Sequence, residues 1–71
     1  MDMDQTSGPL LRAYRESFGV TQTQVARAMG TSRPYVTVLE GKVTIRNAAT
    51  ARRYTEAVLE AVRALAKGDA S

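Results

Sequence analysis

The residues best suited to chemistry lie in a short stretch between Gly30 and Gly41. Within it, Val36 and Leu39 have the spacing of one apolar face of a short helix. The outward face would combine hydrogen-bond donors with apolar groups, on Ser32, Arg33, Pro34, Thr37 and Val38. An arginine can donate two hydrogen bonds to guanine O6 and N7, and threonine or valine can contact a thymine methyl group. These residue types predict a helix that contacts base edges in the major groove of DNA.

Two of these assignments have an alternative interpretation. Arg33 would lie at the N-terminal end of the helix, where it could bind a phosphate instead of a base. Val38 could belong to the protein core, because an exposed valine is unfavourable in water. Against a thymine methyl group, however, an exposed valine is useful.

A second set of residues suits the sugar–phosphate backbone, which receives most protein–DNA hydrogen bonds. Backbone N–H groups at a helix N-terminus attract phosphate, although simple capping is the alternative for the first two residues of the set. The tyrosine could donate its hydroxyl to a phosphate or pack against the last helix. The predicted phosphate contacts are Thr21, Gln22, Tyr35, Lys42, Arg46 and Asn47.

Three short helices are predicted to position these side chains. The first runs from Pro9 to Ser17 or Phe18 and carries Leu10, Leu11, Tyr14 and Phe18 at helical spacing. The second covers about 22–29, with Thr21 as N-cap and Gln24 completing a capping box. The third follows Ser32 as N-cap and stops near Glu40. Residues 21–41 therefore form a helix-turn-helix, with Gly30 at the turn.

A fourth, longer helix is predicted from Ala48 to Lys67, with Asn47 as N-cap and Gly68 as C-cap. Its length of about 30 Å exceeds what three short helices can cover. An apolar stripe along it would therefore lack a partner in the same chain. The residues predicted to dimerise through this stripe are Val58, Leu59, Val62 and Leu65.

Composition and charge limit the classes of protein to which the chain could belong. The chain has 71 residues, with neither Cys nor His, so we expect one domain (8–68), no cofactor, no metal and no enzymatic activity. Residues 1–7 are polar, which predicts a disordered tail and not a secretory signal. No apolar run approaches a membrane span, and we expect a cytoplasmic, nucleoid-associated protein. Residues 12–46 contain six basic and two acidic residues, a net +4 that suits a polyanion or an ordinary solvated surface.

Together these residues resemble the helix-turn-helix domains of the lambda repressor and Cro type, also called XRE-like. The resemblance covers about 10–54 and is carried by the Arg15-to-Gln22 spacing, Thr21-Gln22, Val25-Ala26, Met29-Gly30, Ser32, Val36 and Leu39-Glu40. It implies a compact all-α bundle of four or five helices, here with a long C-terminal helix. It also implies that the positions of Gln22, Arg33, Pro34, Thr37 and Val38 touch DNA, and that Arg15 pairs with Glu40.

The function expected from this resemblance is sequence-specific transcriptional regulation. The chain would act as a bacterial or phage repressor and bind a palindromic double-stranded operator as a homodimer through the third helix. One alternative is an antitoxin-type module that neutralises a protein partner and autoregulates its operon. In that case Leu59, Val62 and Leu65 would bind the partner. A controller of a restriction–modification system is a further alternative.

Overall fold

Four α-helices make up the chain between residues 6 and 67, the range that the computed structural model describes. They are α1 (Gly8–Ser17), α2 (Gln22–Met29), α3 (Arg33–Glu40) and α4 (Ala48–Ala66). This range contains no β-strand, so the all-α prediction is confirmed. None of these four helices is long and apolar enough to cross a lipid bilayer.

Side-chain caps set the start of every helix in the described range. The N-caps are Ser7, Thr21, Ser32 and Asn47, and each side-chain oxygen accepts a hydrogen bond from a backbone N–H of the first turn. The predicted capping box is present, since Thr21 N donates to Gln24 Oε1 at 2.8 Å and Gln24 N donates to Thr21 Oγ1 at 3.1 Å. Because a cap satisfies otherwise unpaired donors, these polar residues were reliable signals of the helix starts.

The two ends of the domain differ from the prediction. Helix α1 begins one residue early, at Gly8, and Thr6 O accepts a hydrogen bond from Ile45 N at 2.7 Å. The last two residues of the predicted tail, 6 and 7, therefore belong to the folded domain, while 1–5 lie outside the described residues. Helix α4 ends at Ala66 with Lys67 as C-cap, and the predicted cap Gly68 also lies outside the described residues.

The core lies where α4 crosses the helix-turn-helix, and it is small and almost entirely aliphatic. Helix α4 packs mainly on α2, and its Tyr54 and Val58 are 0% exposed. Leu10 and Phe18, in contrast, are exposed, because α1 buries mainly Leu11 against the other helices. The buried apolar residues are Leu11, Val20, Val25, Ala26, Met29, Val36, Leu39, Ile45, Tyr54, Ala57, Val58 and Ala61.

Gly30 and Gly8 are required by the local geometry, for different reasons. Gly30 ends α2 with φ of 73°, a left-handed conformation that side chains with a Cβ rarely adopt. Gly8 is buried where α1 meets the end of α3, and a Cβ there would overlap the carbonyl oxygens of Leu39 and Glu40. Its N–H donates to Lys42 O at 2.8 Å, so α1 is tied directly to the segment that follows α3.

Candidate nucleic-acid interface

Helix α3 has one buried face and one exposed face, as its apolar spacing predicts. Val36 and Leu39 are 0% and 3% exposed, respectively. All five residues predicted to contact bases are exposed: Ser32, Arg33, Pro34, Thr37 and Val38. Val38 is 58% exposed, which rules out the alternative that it belongs to the core. Helix α3 thus presents a continuous mixed face of donors and apolar groups to the outside.

A buried ion pair lies beneath this face and joins α1 to the end of α3. Arg15 donates from Nε to Glu40 Oε2 at 2.7 Å and from Nη2 to Glu40 Oε1 at 3.2 Å. Its Nη1 donates to Val20 O at 2.8 Å, and the Tyr54 hydroxyl donates to Glu40 Oε2. The ion pair implied by the resemblance is therefore present, and α4 contributes a third member through Tyr54.

The cluster holds its charges at neutral pH. Burial acts to raise the pKa of Glu40, but hydrogen bonds from Arg15, Tyr54 and Gln22 outweigh burial and lower that pKa. The hydrogen bond to Glu40 raises the pKa of Arg15 above its ordinary value. Burial and the neighbouring carboxylate raise the pKa of the Tyr54 hydroxyl, which stays protonated and able to donate. Each charged atom thus has a partner, which a buried ion pair requires.

Gln22 links this buried cluster to the exposed face of α3. Its Nε2 donates to Glu40 Oε1 at 3.0 Å. Its Oε1 accepts from Arg33 Nε at 3.4 Å and from Thr37 Oγ1 at 3.1 Å. The sequence pattern predicts only a phosphate contact for Gln22. Its contact with Glu40, 18 positions away, depends on the packing of α2 against α3, and no local signal in the sequence reveals it.

Four of the predicted phosphate contacts meet at one shallow groove between α3 and the start of α4. The groove is lined by Tyr35, Lys42, Arg46 and Asn47, together with Leu39, Thr44, Ile45 and Thr50. Tyr35 is 42% exposed and lies at this groove with Thr50 of α4. Lys42 and Arg46 are exposed, so the groove carries two accessible cations beside the exposed face of α3.

Capping uses some of the atoms predicted to contact DNA. The side-chain oxygens of Thr21, Ser32 and Asn47 all accept backbone hydrogen bonds at helix starts. The hydroxyl protons of Thr21 and Ser32, and the amide nitrogen of Asn47, are still donors that could reach a phosphate or a base. Capping and DNA contact are therefore compatible at these three positions.

The predicted dimerisation residues on α4 divide into two groups. Val58 is fully buried within the core of its own chain, so it offers no surface to a second copy, and this assignment is corrected. Val62 is half-buried and packs on the core. Leu59 and Leu65 are exposed, at 39% and 42%. The unpartnered stripe is thus shorter than predicted.

A family whose model is described as "Helix-turn-helix" matches residues 11–48, which include most of α1, all of α2 and α3, and the connector before α4. No curated protein and no solved structure matches the chain. The matched segment contains the capping box, the turn glycine, the exposed face of α3 and both members of the buried ion pair. By this match and this geometry, the chain belongs to the DNA-binding helix-turn-helix family of the lambda repressor/Cro (XRE) type.

Proposed function

We propose that this protein is a sequence-specific transcriptional repressor that binds its operator through α3. The observation that carries the proposal is the exposed face of α3, which is held from below by the Arg15–Glu40 pair. A rigid donor set is what base discrimination requires, because misaligned hydrogen bonds lose their selectivity. The proposal places the protein in the cytoplasm, on the nucleoid.

Two sets of residues would contact different parts of the DNA. Ser32, Arg33, Pro34, Thr37 and Val38 would contact bases. Phosphates would be held by the exposed groove residues and the start of α2, namely Thr21, Gln22, Tyr35, Lys42, Arg46 and Asn47. Phosphate contacts fix the register of the protein on the duplex, and base contacts supply the sequence preference.

We further propose that two copies bind a palindromic operator. Leu59 and Leu65 are exposed on α4, on the long helix that extends beyond the core. A homodimer through these residues would place two α3 helices about 34 Å apart, the spacing of successive major grooves on one side of the duplex. The same exposed leucines would suit a protein partner if the chain is instead an antitoxin-type module.

The decisive experiment measures the fluorescence anisotropy of a labelled duplex from just upstream of the protein's own gene. A scrambled duplex of the same composition is the control, and salt is varied over roughly 50–200 mM. A specific regulator should bind the natural duplex about 10³-fold or more tightly than the scrambled one. Equal binding to both duplexes would contradict the proposal.

A restriction–modification controller or an antitoxin would also bind specific DNA, so a second measurement separates them. The genes on either side of this one should be sequenced. The mass of the protein purified together with the product of a neighbouring gene should be measured by light scattering. A toxin-like neighbour whose product forms a stable complex with this chain would favour the antitoxin alternative. Neighbouring nuclease and methyltransferase genes would favour the controller.

A further inference from the structure

The carboxamide of Gln22 lies between a buried carboxylate and the exposed face of α3. Its Nε2 is 3.0 Å from Glu40 Oε1. An ionised carboxylate only accepts hydrogen bonds, so it selects the NH₂ end of the amide. The Oε1 end of Gln22 must therefore face the other way, toward Arg33 and Thr37.

Glu40 keeps this orientation fixed at neutral pH. Although burial opposes ionisation, the hydrogen bonds from Arg15, Tyr54 and Gln22 lower the pKa of Glu40 below its ordinary value. Glu40 is only 6% exposed, so water does not compete for its oxygens. A flipped Gln22 amide would set an oxygen against the carboxylate, an unfavourable contact between two acceptors.

The Thr37 hydroxyl has one proton, and both of its neighbours are acceptors. Its Oγ1 lies 3.1 Å from Gln22 Oε1 and 3.2 Å from Arg33 O. Whichever of these oxygens receives the proton, the proton points back into the protein. Thr37 is exposed, so only its lone pairs face outward.

We propose that Glu40, acting through Gln22, makes Thr37 a hydrogen-bond acceptor toward DNA, so that Thr37 selects an exocyclic amine, N6 of adenine or N4 of cytosine. In the major groove every base pair presents one such amine beside acceptor atoms at N7, O6 or O4. A threonine without this constraint could serve either kind of atom. The inference rests on the proposed function, and in it Gln22 and Glu40 are positioning residues.

The test removes single functional groups from the DNA bases. Duplexes that bind the wild-type protein are selected from a randomised pool, and the base pair whose preference is lost in Thr37→Val is located. At that pair, purine replaces adenine, or 2-pyrimidinone replaces cytosine, which removes only the amine. The amine's removal should weaken wild-type binding about 3- to 10-fold and leave Thr37→Val unaffected. Thr37→Ser keeps the hydroxyl and should keep the penalty for removing the amine.

A second arm tests the positioning role of Gln22. Gln22→Met keeps the side-chain length and removes both polar atoms, so the Thr37 proton is held inward by Arg33 O alone, one acceptor in place of two. The penalty for removing the amine should shrink in this variant, while the dependence of affinity on salt is kept. Lys42→Ala is the matched control, because it should weaken binding to every duplex and retain the full amine penalty.

Three results would overturn the inference. In the first, substitution of a 7-deazapurine, which lacks the N7 acceptor, reproduces the Thr37→Val loss while amine removal does not. In the second, a folded Gln22→Met keeps the wild-type amine penalty; if this variant does not fold, the exposed Thr37 variants decide alone. In the third, no duplex is selected over random sequence. This result contradicts the proposed function itself, whereas the first two results contradict only the role inferred for Thr37 and Gln22.

Discussion

At the scale of single residues, two ion pairs that involve α1 show how burial decides what the loss of one partner does to stability. Arg12 and Glu16 form an exposed pair one helical turn apart, with Nε–Oε2 at 3.0 Å. Arg15 and Glu40 form a buried pair of similar distance, 2.7 Å, across two helices. Water screens the first pair and is excluded from the second, so removing one partner has very different consequences.

We therefore expect Glu40→Gln to lower the free energy of unfolding by about 3–5 kcal/mol, because it leaves the Arg15 charge buried without a counter-charge. That is most of the stability of a domain of this size, on the order of 5 kcal/mol. Glu16→Gln is the matched control and should cost less than about 0.5 kcal/mol. Urea denaturation followed by circular dichroism measures both. Similar losses in the two variants would contradict this account.

The buried cluster also predicts how stability varies with pH. The pKa of Glu40 is lowered by folding, so its contribution is present above about pH 4.5 and is lost as pH falls through the folded value. The pKa of Tyr54 is raised, so its contribution is present below about pH 10 and is lost at more alkaline pH. Denaturation curves from pH 3 to 11 should show both declines. In Tyr54→Phe the alkaline decline should become shallower; an unchanged decline would exclude Tyr54 as its cause.

Arg33 and Lys42 should differ in what their removal does to DNA binding. Arg33→Ala should relax the preference at one base pair, because in the proposed mode of binding its guanidinium contacts a base edge. Lys42→Ala should weaken binding to all sequences and reduce the slope of log affinity against log salt by about 0.9. Titrations of specific and random duplexes at several salt concentrations measure both effects. Equal losses on both duplexes for Arg33→Ala would make Arg33 a phosphate contact only.

At the scale of helices, α1 lies close against the end of α3 at Gly8. Gly8→Ala would push a Cβ into the carbonyl oxygens of Leu39 and Glu40. We expect a loss of about 1–3 kcal/mol, typical of overpacking, measured as a lower melting temperature. Gly41→Ala is the control, since a Cβ there would meet Thr37 O and Val38 O at an ordinary 3.6 Å. Equal melting temperatures for both variants would show that α1 can shift without cost.

The helices were predictable because their signals are local. Thr21 with Gln24, and Ser32 before α3, fixed two helix starts to the residue. Contacts between helices were harder to predict from the sequence. Gln22 could be placed at the start of a helix, but its hydrogen bond to Glu40 could not be predicted. Val58 was misassigned for the same reason, because periodicity identifies an apolar stripe without revealing which part of it the chain itself covers.

At the scale of the whole molecule, the proposed homodimer depends on the exposed leucines near the end of α4. Leu65→Asp should leave the melting profile of the monomer intact, because Leu65 is 42% exposed, and should shift the protein from dimer to monomer. Operator affinity should fall with it, since two linked half-sites reinforce each other. Analytical ultracentrifugation and anisotropy measure these changes. Val62→Asp is a poorer probe because Val62 packs on the core. An unchanged mass and affinity for Leu65→Asp would exclude this surface.

The division of α3 into a buried and an exposed face has an evolutionary consequence. Val36, Leu39 and Glu40 are the buried residues of α3, whereas Pro34 and Val38 are exposed. Exposed positions of this kind tolerate substitution at a cost within about 0.5 kcal/mol. Under the proposed function, new operators can therefore be acquired by changes at the surface of one helix, without prior stabilising mutations. Thr37 is the exception, because a substitution there also removes or changes its hydrogen bond to Gln22. Positions 22 and 37 should therefore change together in descendants of this chain.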